Sequence, residues 1–196
     1  MQRWQQKRSV IRRYDLTAHM YEQRYIEEQQ AKYQAALEAL AVAPSGFILD
    51  VGCGSGLFFP FVADKAEALV GVDASRQLLL QAKRHARSFS NVFLVRADAD
   101  YLPFREGLFS FVFAFTVLQN MPAPPATLEE LSKIASCQAY FVITGLKRAV
   151  DLEVLNDWLE RARLLATSLR DDESLKCNVV VAVKASKYAS SQSNPN

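Results

Sequence analysis

Apolar and polar positions alternate along this chain in blocks that change period. Residues 17 to about 42 read as a helix, with Met20, Ile26, Leu37 and Leu40 as apolar points in a background of Ala, Gln and Glu. Ala43-Pro44-Ser45-Gly46 breaks it. Five short apolar runs then read as strands, at 47–51, 68–72, 91–96, 109–115 and 139–144. The run at 109–115 is apolar on both faces, so it is expected at the centre of the sheet. Between these runs, residues 57–63, 75–87 and 125–135 read as helices. Pro60 suits a first turn, where amide hydrogens lack partners, and Ser75 suits an N-cap. A further helix is expected over 151–163. Residues 164–169 and 178–183 are expected to pair across Asp171-Asp172-Glu173-Ser174.

Strands that alternate with helices imply an α/β fold. The expectation is a doubly wound, mainly parallel seven-stranded sheet with helices on both faces and an antiparallel C-terminal strand. Three segments follow: a helical extension or lid at 1–43, one domain at 44–184, and a disordered tail at 185–196 rich in Ser, Gln, Asn and Pro. The extension is expected to lie over the loops at the strand ends.

Composition narrows the function classes. The chain is 50% apolar and 22% charged, a balance that suits a single globular domain with a full core. No apolar run approaches the roughly 18 residues that span a bilayer. No apolar signal segment follows the first eight residues, so a cytoplasmic protein is expected. Cys53, Cys137 and Cys177 lie far apart, and His19 and His85 are the only histidines, so no metal site is expected. The net charge of +2 is uneven: residues 1–13 hold Arg3, Lys7, Arg8, Arg12 and Arg13 and no acid. That stretch reads as a solvated, partly disordered start, or as a patch for RNA or an acidic surface.

The chemistry concentrates at the ends of the strands. Ile48-Leu49-Asp50-Val51-Gly52-Cys53-Gly54-Ser55-Gly56 is a buried strand running into a turn with glycines at every second place. Glycine is needed where backbone approaches a ligand or takes positive φ. A dinucleotide loop would put its third glycine where Leu57 stands, and a P-loop would carry a Lys. Asp73, with Ala74 and Ser75, ends the second strand; Asp98 and Ala99 follow the third; Thr116 ends the fourth. Ligands in such sheets bind outside the carboxyl ends of the strands.

From residue 47 to about 145 the order and spacing of these segments resemble class I S-adenosylmethionine-dependent methyltransferases, in the type 11 or ubiquinone-type and tRNA-wobble-type branch. Val70-Gly71-Val72-Asp73-Ala74-Ser75, Ala97-Asp98-Ala99 with Leu102-Pro103-Phe104, and Phe109 to Ala114 look like its further motifs, although Ser110 stands where relatives carry an acid. Tyr14 to Tyr21 resembles the segment that closes over the cofactor. The resemblance implies S-adenosylmethionine as cofactor, with Asp73 on the ribose diol, Asp98 on the adenine amino group and the Ala99 amide on a ring nitrogen. Gly52, Gly54 and Gly56 would approach its amino-acid end, with Asp50 taking the ammonium. Cys53 belongs to that loop as a small packed residue and not as a nucleophile. Tyr14, Ala74 and Thr116 complete the cofactor set.

On the acceptor side, Tyr21, Gln119 and Asn120 are the catalytic candidates, with Tyr14 beside them. Thr116-Val117-Leu118-Gln119-Asn120-Met121-Pro122 resembles the V-L-x-x-x-P stretch of ubiquinone-type enzymes, which often carry His where Gln119 or Asn120 stands. Neither amide is a base near neutral pH; both can orient an acceptor. The Asn/Asp-Pro-Pro-aromatic loop of amino-group methylators is missing. Translation methyltransferases of this kind bind a small zinc-binding activator along the edge strand, here 91–96, which leaves a tRNA acceptor reached through residues 3–13 as the rival. A catalytically silent, cofactor-binding scaffold is the alternative from another class.

Overall fold

The computed structural model describes residues 2–185. Seven strands make one sheet: β1 (Gly46–Val51), β2 (Ala66–Asp73), β3 (Val92–Arg96), β4 (Phe109–Phe115), β5 (Ala135–Leu146), β6 (Leu164–Arg170) and β7 (Cys177–Lys184). Their order is β3-β2-β1-β4-β5-β7-β6. The pairs among β1 to β5 are parallel, and β7 runs antiparallel to both its neighbours. The doubly wound, mainly parallel sheet expected from the sequence is therefore present, with its antiparallel member second from one edge. The chain order reverses at β1, between β2 and β4, and the ends of those three strands form the mouth of the candidate site.

Among the described residues five α-helices connect and cover the sheet: α1 (Gln2–Glu38), α2 (Phe59–Val62), α3 (Arg76–Ala86), α4 (Pro124–Ile134) and α5 (Leu152–Arg161). Strand β4 shows how the pattern makes two cores. Phe111, Phe113 and Phe115 point to one face, where they meet Phe58 and, from α1, Tyr33 and Ala36. Val112 and Ala114 point to the other, among Leu128, Leu131 and Phe141. Period-2 alternation with apolar residues on both sides is what a central parallel strand requires.

Three expectations need correction. The helix that the sequence places at 17–42 begins at Gln2, so the basic start is ordered. Its first turns hold Gln, Arg and Lys, which favour helix, and carry no Gly or Pro. The strand expected at 139–144 begins at Ala135, directly at the end of α4, with an irregular register and a positive φ at Gln138. The helix expected at 57–63 shortens to α2 and a 3₁₀ turn over Ala63–Lys65. The Ser75 cap is present, its hydroxyl accepting from the Leu78 amide at 3.2 Å. The tail expected to be disordered falls, beyond Ala185, outside the described residues.

Candidate functional site

A cleft lies across the carboxyl ends of β1, β2 and β4, with α1 as its outer wall. Its floor is the turn after β1. Gly52, Gly54 and Gly56 all have positive φ, at 66°, 57° and 85°, a region costly for residues with a Cβ. Space is as tight as conformation: a Cβ on Gly52 would lie 2.4 Å from Val117 Cγ2. One on Gly54 would enter the gap beneath the Tyr21 ring, at 3.7 Å. Backbone bonds hold the turn, Cys53 N donating to Val72 O at 3.0 Å and Gly56 N to Cys53 O at 2.9 Å.

Asp73 organises the turn from β2. One carboxylate oxygen accepts from Gly54 N at 2.9 Å and the other from Ser75 N at 2.7 Å. Burial pushes its pKa up, while the amide bonds pull the other way; the net direction is upward. A carboxylate has about four acceptor directions, so two amides leave capacity for a pair of hydroxyls from the cleft.

Beyond Asp73, Ala97, Asp98 and Ala99 line the cleft next to Ala74. Here the structure departs from the sequence reading. Lys7 is buried, and its ammonium donates to both Asp98 oxygens at 2.7 Å. It also donates to Asp100, which is half-buried and accepts from Thr127 as well. Lys7 was missed because 91 residues separate it from Asp98. A signal existed: Lys7, Val10, Ile11, Tyr14, Ala18 and Tyr21 form one helical stripe at spacings of three and four, and all but Ala18 line the cleft.

At the other end stand Tyr14, Tyr21, Thr116 and Asn120. Thr116 has a φ of 56°, uncommon for a β-branched residue. Its amide is held by the Thr144 hydroxyl at 2.9 Å, and such strained positions gather at functional sites. Asn120 donates to Thr116 O at 3.0 Å and to the Tyr14 hydroxyl at 3.4 Å, and accepts from Arg13 at 3.3 Å. Tyr21 lies 6.4 Å from Tyr14 between ring centroids, accepts from Gln29, and is pushed well above the usual tyrosine pKa by burial. Gln119 is not with them. Its side-chain oxygen accepts from Leu146 N at 3.2 Å, because the 3₁₀ turn over Leu118–Asn120 aims the two neighbouring amides differently. Val117 and Met121 line the wall instead.

Asp50 and Cys53 stand behind the floor, and neither they nor Gly56, at the end of the turn, lines the cleft. Cys53 is buried and its thiol is pushed up, first by burial and then by Asp50 and Asp73, which suits a packed residue. Asp50 is 2% exposed, and its Oδ2 has no hydrogen-bond partner among the described residues. Burial, then the Asp73 charge, pushes its pKa well up. A raised folded-state pKa gives stability that is present below the unfolded value and lost as pH rises through the folded value. Asp50→Asn should therefore raise ligand-free stability by about 1–2 kcal/mol at pH 8, and thermal melts from pH 5 to 8 should show the gain shrinking toward acid. Equal melts at every pH would remove Asp50 as a source of strain. The Ser110 hydroxyl donates to Ser45 O and Phe47 O at the far end of β4. No group of metal-ligating side chains occurs among the described residues.

This fold and this floor define a class I S-adenosylmethionine-dependent methyltransferase domain, and residues 49–143 match the family model described as "Methyltransferase domain". S-adenosylmethionine is the cofactor of that class of domain. Among curated relatives it is 32% identical over 127 residues to an uncharacterized methyltransferase of Synechocystis, covering 65% of this chain and 57% of the relative. It is 32% identical over 125 residues to a malonyl-[acyl-carrier protein] O-methyltransferase of Legionella pneumophila, covering 62% and 43%. A demethylmenaquinone methyltransferase of Staphylococcus saprophyticus is 29% identical over 111 residues, covering 55% and 48%. The chain thus spans about half the length of the curated relatives it matches. Solved structures share the fold as well. The [4+2]-cyclase SpnF has a TM-score of 0.71 at 18% identity, covering 79% of this chain and 80% of its own. A chain from the complex of a Haloferax volcanii methyltransferase with the Trm112 methyltransferase activator has a TM-score of 0.75 at 16% identity, covering 88% and 98%.

Proposed function

We propose that this chain transfers the methyl group of S-adenosylmethionine to a small acceptor in the cleft. The observation that carries this reading is the continuity of the cleft, from Asp98 and Ala99, past Asp73, over the bare glycine floor, to Tyr14, Tyr21 and Asn120. The residues fit the cofactor: Asp73 has acceptor capacity for a ribose diol, and the glycines leave room for the amino-acid end. The orphaned oxygen of Asp50 calls for a cation, met directly or through water. Bound there, the cofactor supplies a methyl on positively charged sulfur, activated for in-line displacement. The chain contributes alignment and exclusion of water.

The acceptor end supplies no base. It has no histidine, Asn120 is neutral, and Tyr21 holds its proton more tightly than a free phenol. The acceptor must bring its own nucleophile, as a carboxylate or a stabilised carbon acid does. The Legionella and Staphylococcus relatives, an O-methyltransferase and a demethylmenaquinone methyltransferase, agree with that class. The free cysteines suit a cytoplasmic setting, and no helix among the described residues is long and apolar enough to cross a membrane. Calorimetry with S-adenosylhomocysteine and with NAD tests the cofactor: binding of the first and not the second is expected, and the reverse would sink the reading. Turnover assays with carboxylate and quinol acceptors then separate an enzyme from a silent scaffold.

A second reading, a translation methyltransferase with an activator, is favoured by one observation. β3 is an edge strand and Phe93 is 53% exposed on it, an open template for strand addition. Arg3, Arg8, Arg12 and Arg13, exposed on α1, would meet a tRNA acceptor. If this reading holds, Phe93→Lys abolishes recovery of a small zinc-binding partner on co-purification while leaving the melting temperature of the isolated chain unchanged. Failure of wild type to retain such a partner rejects it.

A further inference from the structure

The N-terminal arm of α1 covers the cleft, yet few contacts hold it down. Asp15 marks where the firm attachment begins: its carboxylate accepts from Ser75 Oγ at 2.6 Å and from Gln77 N at 3.1 Å. Further along, Glu22 meets His85 at 2.9 Å, and Tyr33 and Ala36 are embedded in the core. Before Asp15 the arm faces outward over most of its surface, with Arg3, Trp4, Arg8, Arg12 and Arg13 exposed. Its ties to the far wall are the long bonds that Asn120 accepts from Arg13 and donates to the Tyr14 hydroxyl, the half-buried Val10 and Ile11, and Lys7.

Lys7 is unlike the others. Its ammonium is enclosed, bonded to both oxygens of Asp98, in contact with Asp100, and 5.6 Å from the centre of the Tyr101 ring. Asp100 in turn is bonded by Thr127 of α4. Burial pulls the Lys7 pKa down, but the hydrogen bonds to Asp100 and Asp98 outweigh it and the net direction is upward. The Lys7 ammonium therefore stays charged throughout the neutral range. It closes the end of the cleft where Asp98 and Ala99 stand.

We infer that Lys7 is the latch of a lid: the arm over residues 2–14 must release Asp98 and Asp100 before cofactor enters or leaves, so this cluster sets the exchange rate. The inference rests on reading the cleft as the cofactor site. The latch makes both entry and departure pass through the same opened arm, so it slows both. Affinity is then set by the floor and Asp73, and exchange by Lys7.

Stopped-flow binding of S-adenosylhomocysteine to the full chain separates the two. In Lys7→Met, which keeps the aliphatic stem, association and dissociation rates should each rise at least about tenfold, the factor expected for losing a charge-assisted pair. The Kd should move by less than about threefold, because both rates share the step. Asp100→Asn, which keeps the oxygen that Thr127 meets, should give an intermediate rise, and Lys7→Arg should stay near wild type. Hydrogen exchange should quicken in Lys7→Met over residues 2–14 and not elsewhere. A merely structural lysine would instead weaken affinity through dissociation alone. That pattern, or rates unchanged in both Lys7→Met and Asp100→Asn, overturns the latch. Wild type that binds no S-adenosylhomocysteine overturns the cofactor reading and the latch with it.

Discussion

Asp73→Ala is expected to lower affinity for S-adenosylhomocysteine by about a hundredfold or more. Each hydrogen bond from a cofactor hydroxyl to this carboxylate is worth about 1.5–3 kcal/mol, and two are made if the diol sits on Asp73. The variant also releases Gly54 N and Ser75 N, which bond to this carboxylate at 2.9 and 2.7 Å. The turn that shapes the floor loses its clamp at the same time. The folded chain should nonetheless survive, because burial already holds the Asp73 carboxylate above its usual pKa and its removal relieves that cost. Calorimetry measures the affinity, and circular dichroism checks the fold. Undiminished affinity in a folded Asp73→Ala variant would reduce the residue to a support for the turn.

Gly52→Ala should destabilise the protein by about 2–4 kcal/mol, the sum of a left-handed backbone forced on a residue with a Cβ and of local overpacking. The collision is specific. The added carbon meets Val117 Cγ2 at 2.4 Å, and Val117 lines the cleft wall just after Thr116. Val117→Ala should therefore return part of the loss in the double variant, leaving the backbone share behind. Chemical denaturation of the four proteins in this cycle yields the coupling. Strict additivity would place the strain elsewhere than between these two residues.

These two positions were legible in the sequence because each answers to a local rule. Gly52 sits where the chain must turn sharply after a buried strand, and Asp73 closes a strand next to a helix cap. β4 was legible over Phe109–Phe115 for the same kind of reason: a short run rich in Phe and Val that follows a glycine suits a buried strand. Lys7 obeys no local rule. It occupies an inward position of α1 that its neighbours fill with apolar groups, and only the fold brings it to Asp98. Gln119 and Asn120 illustrate another limit. Both are amides next to each other in sequence, and the pitch of a single 3₁₀ turn decides that Asn120 faces Tyr14 while Gln119 faces Leu146. The start of β5 was missed because α4 passes into it with no intervening turn residue to mark the change.

Helix α1 has no glycine or proline anywhere between Gln2 and Glu38, and at 1.5 Å per residue it is a rod of about 55 Å. One end is embedded with Tyr33 and Ala36 in the core, and the other lies over the cleft. A rod without a joint cannot swing at its middle while its root stays fixed. On the latch reading, the arm would open by fraying from Gln2 inward, a helix-to-coil transition in which backbone hydrogen bonds are exchanged for water turn by turn. Helicity of a short terminal stretch falls with temperature. Temperature, acting on a few terminal turns, thereby becomes a control on access to the cleft that is separate from the stability of the domain beneath it.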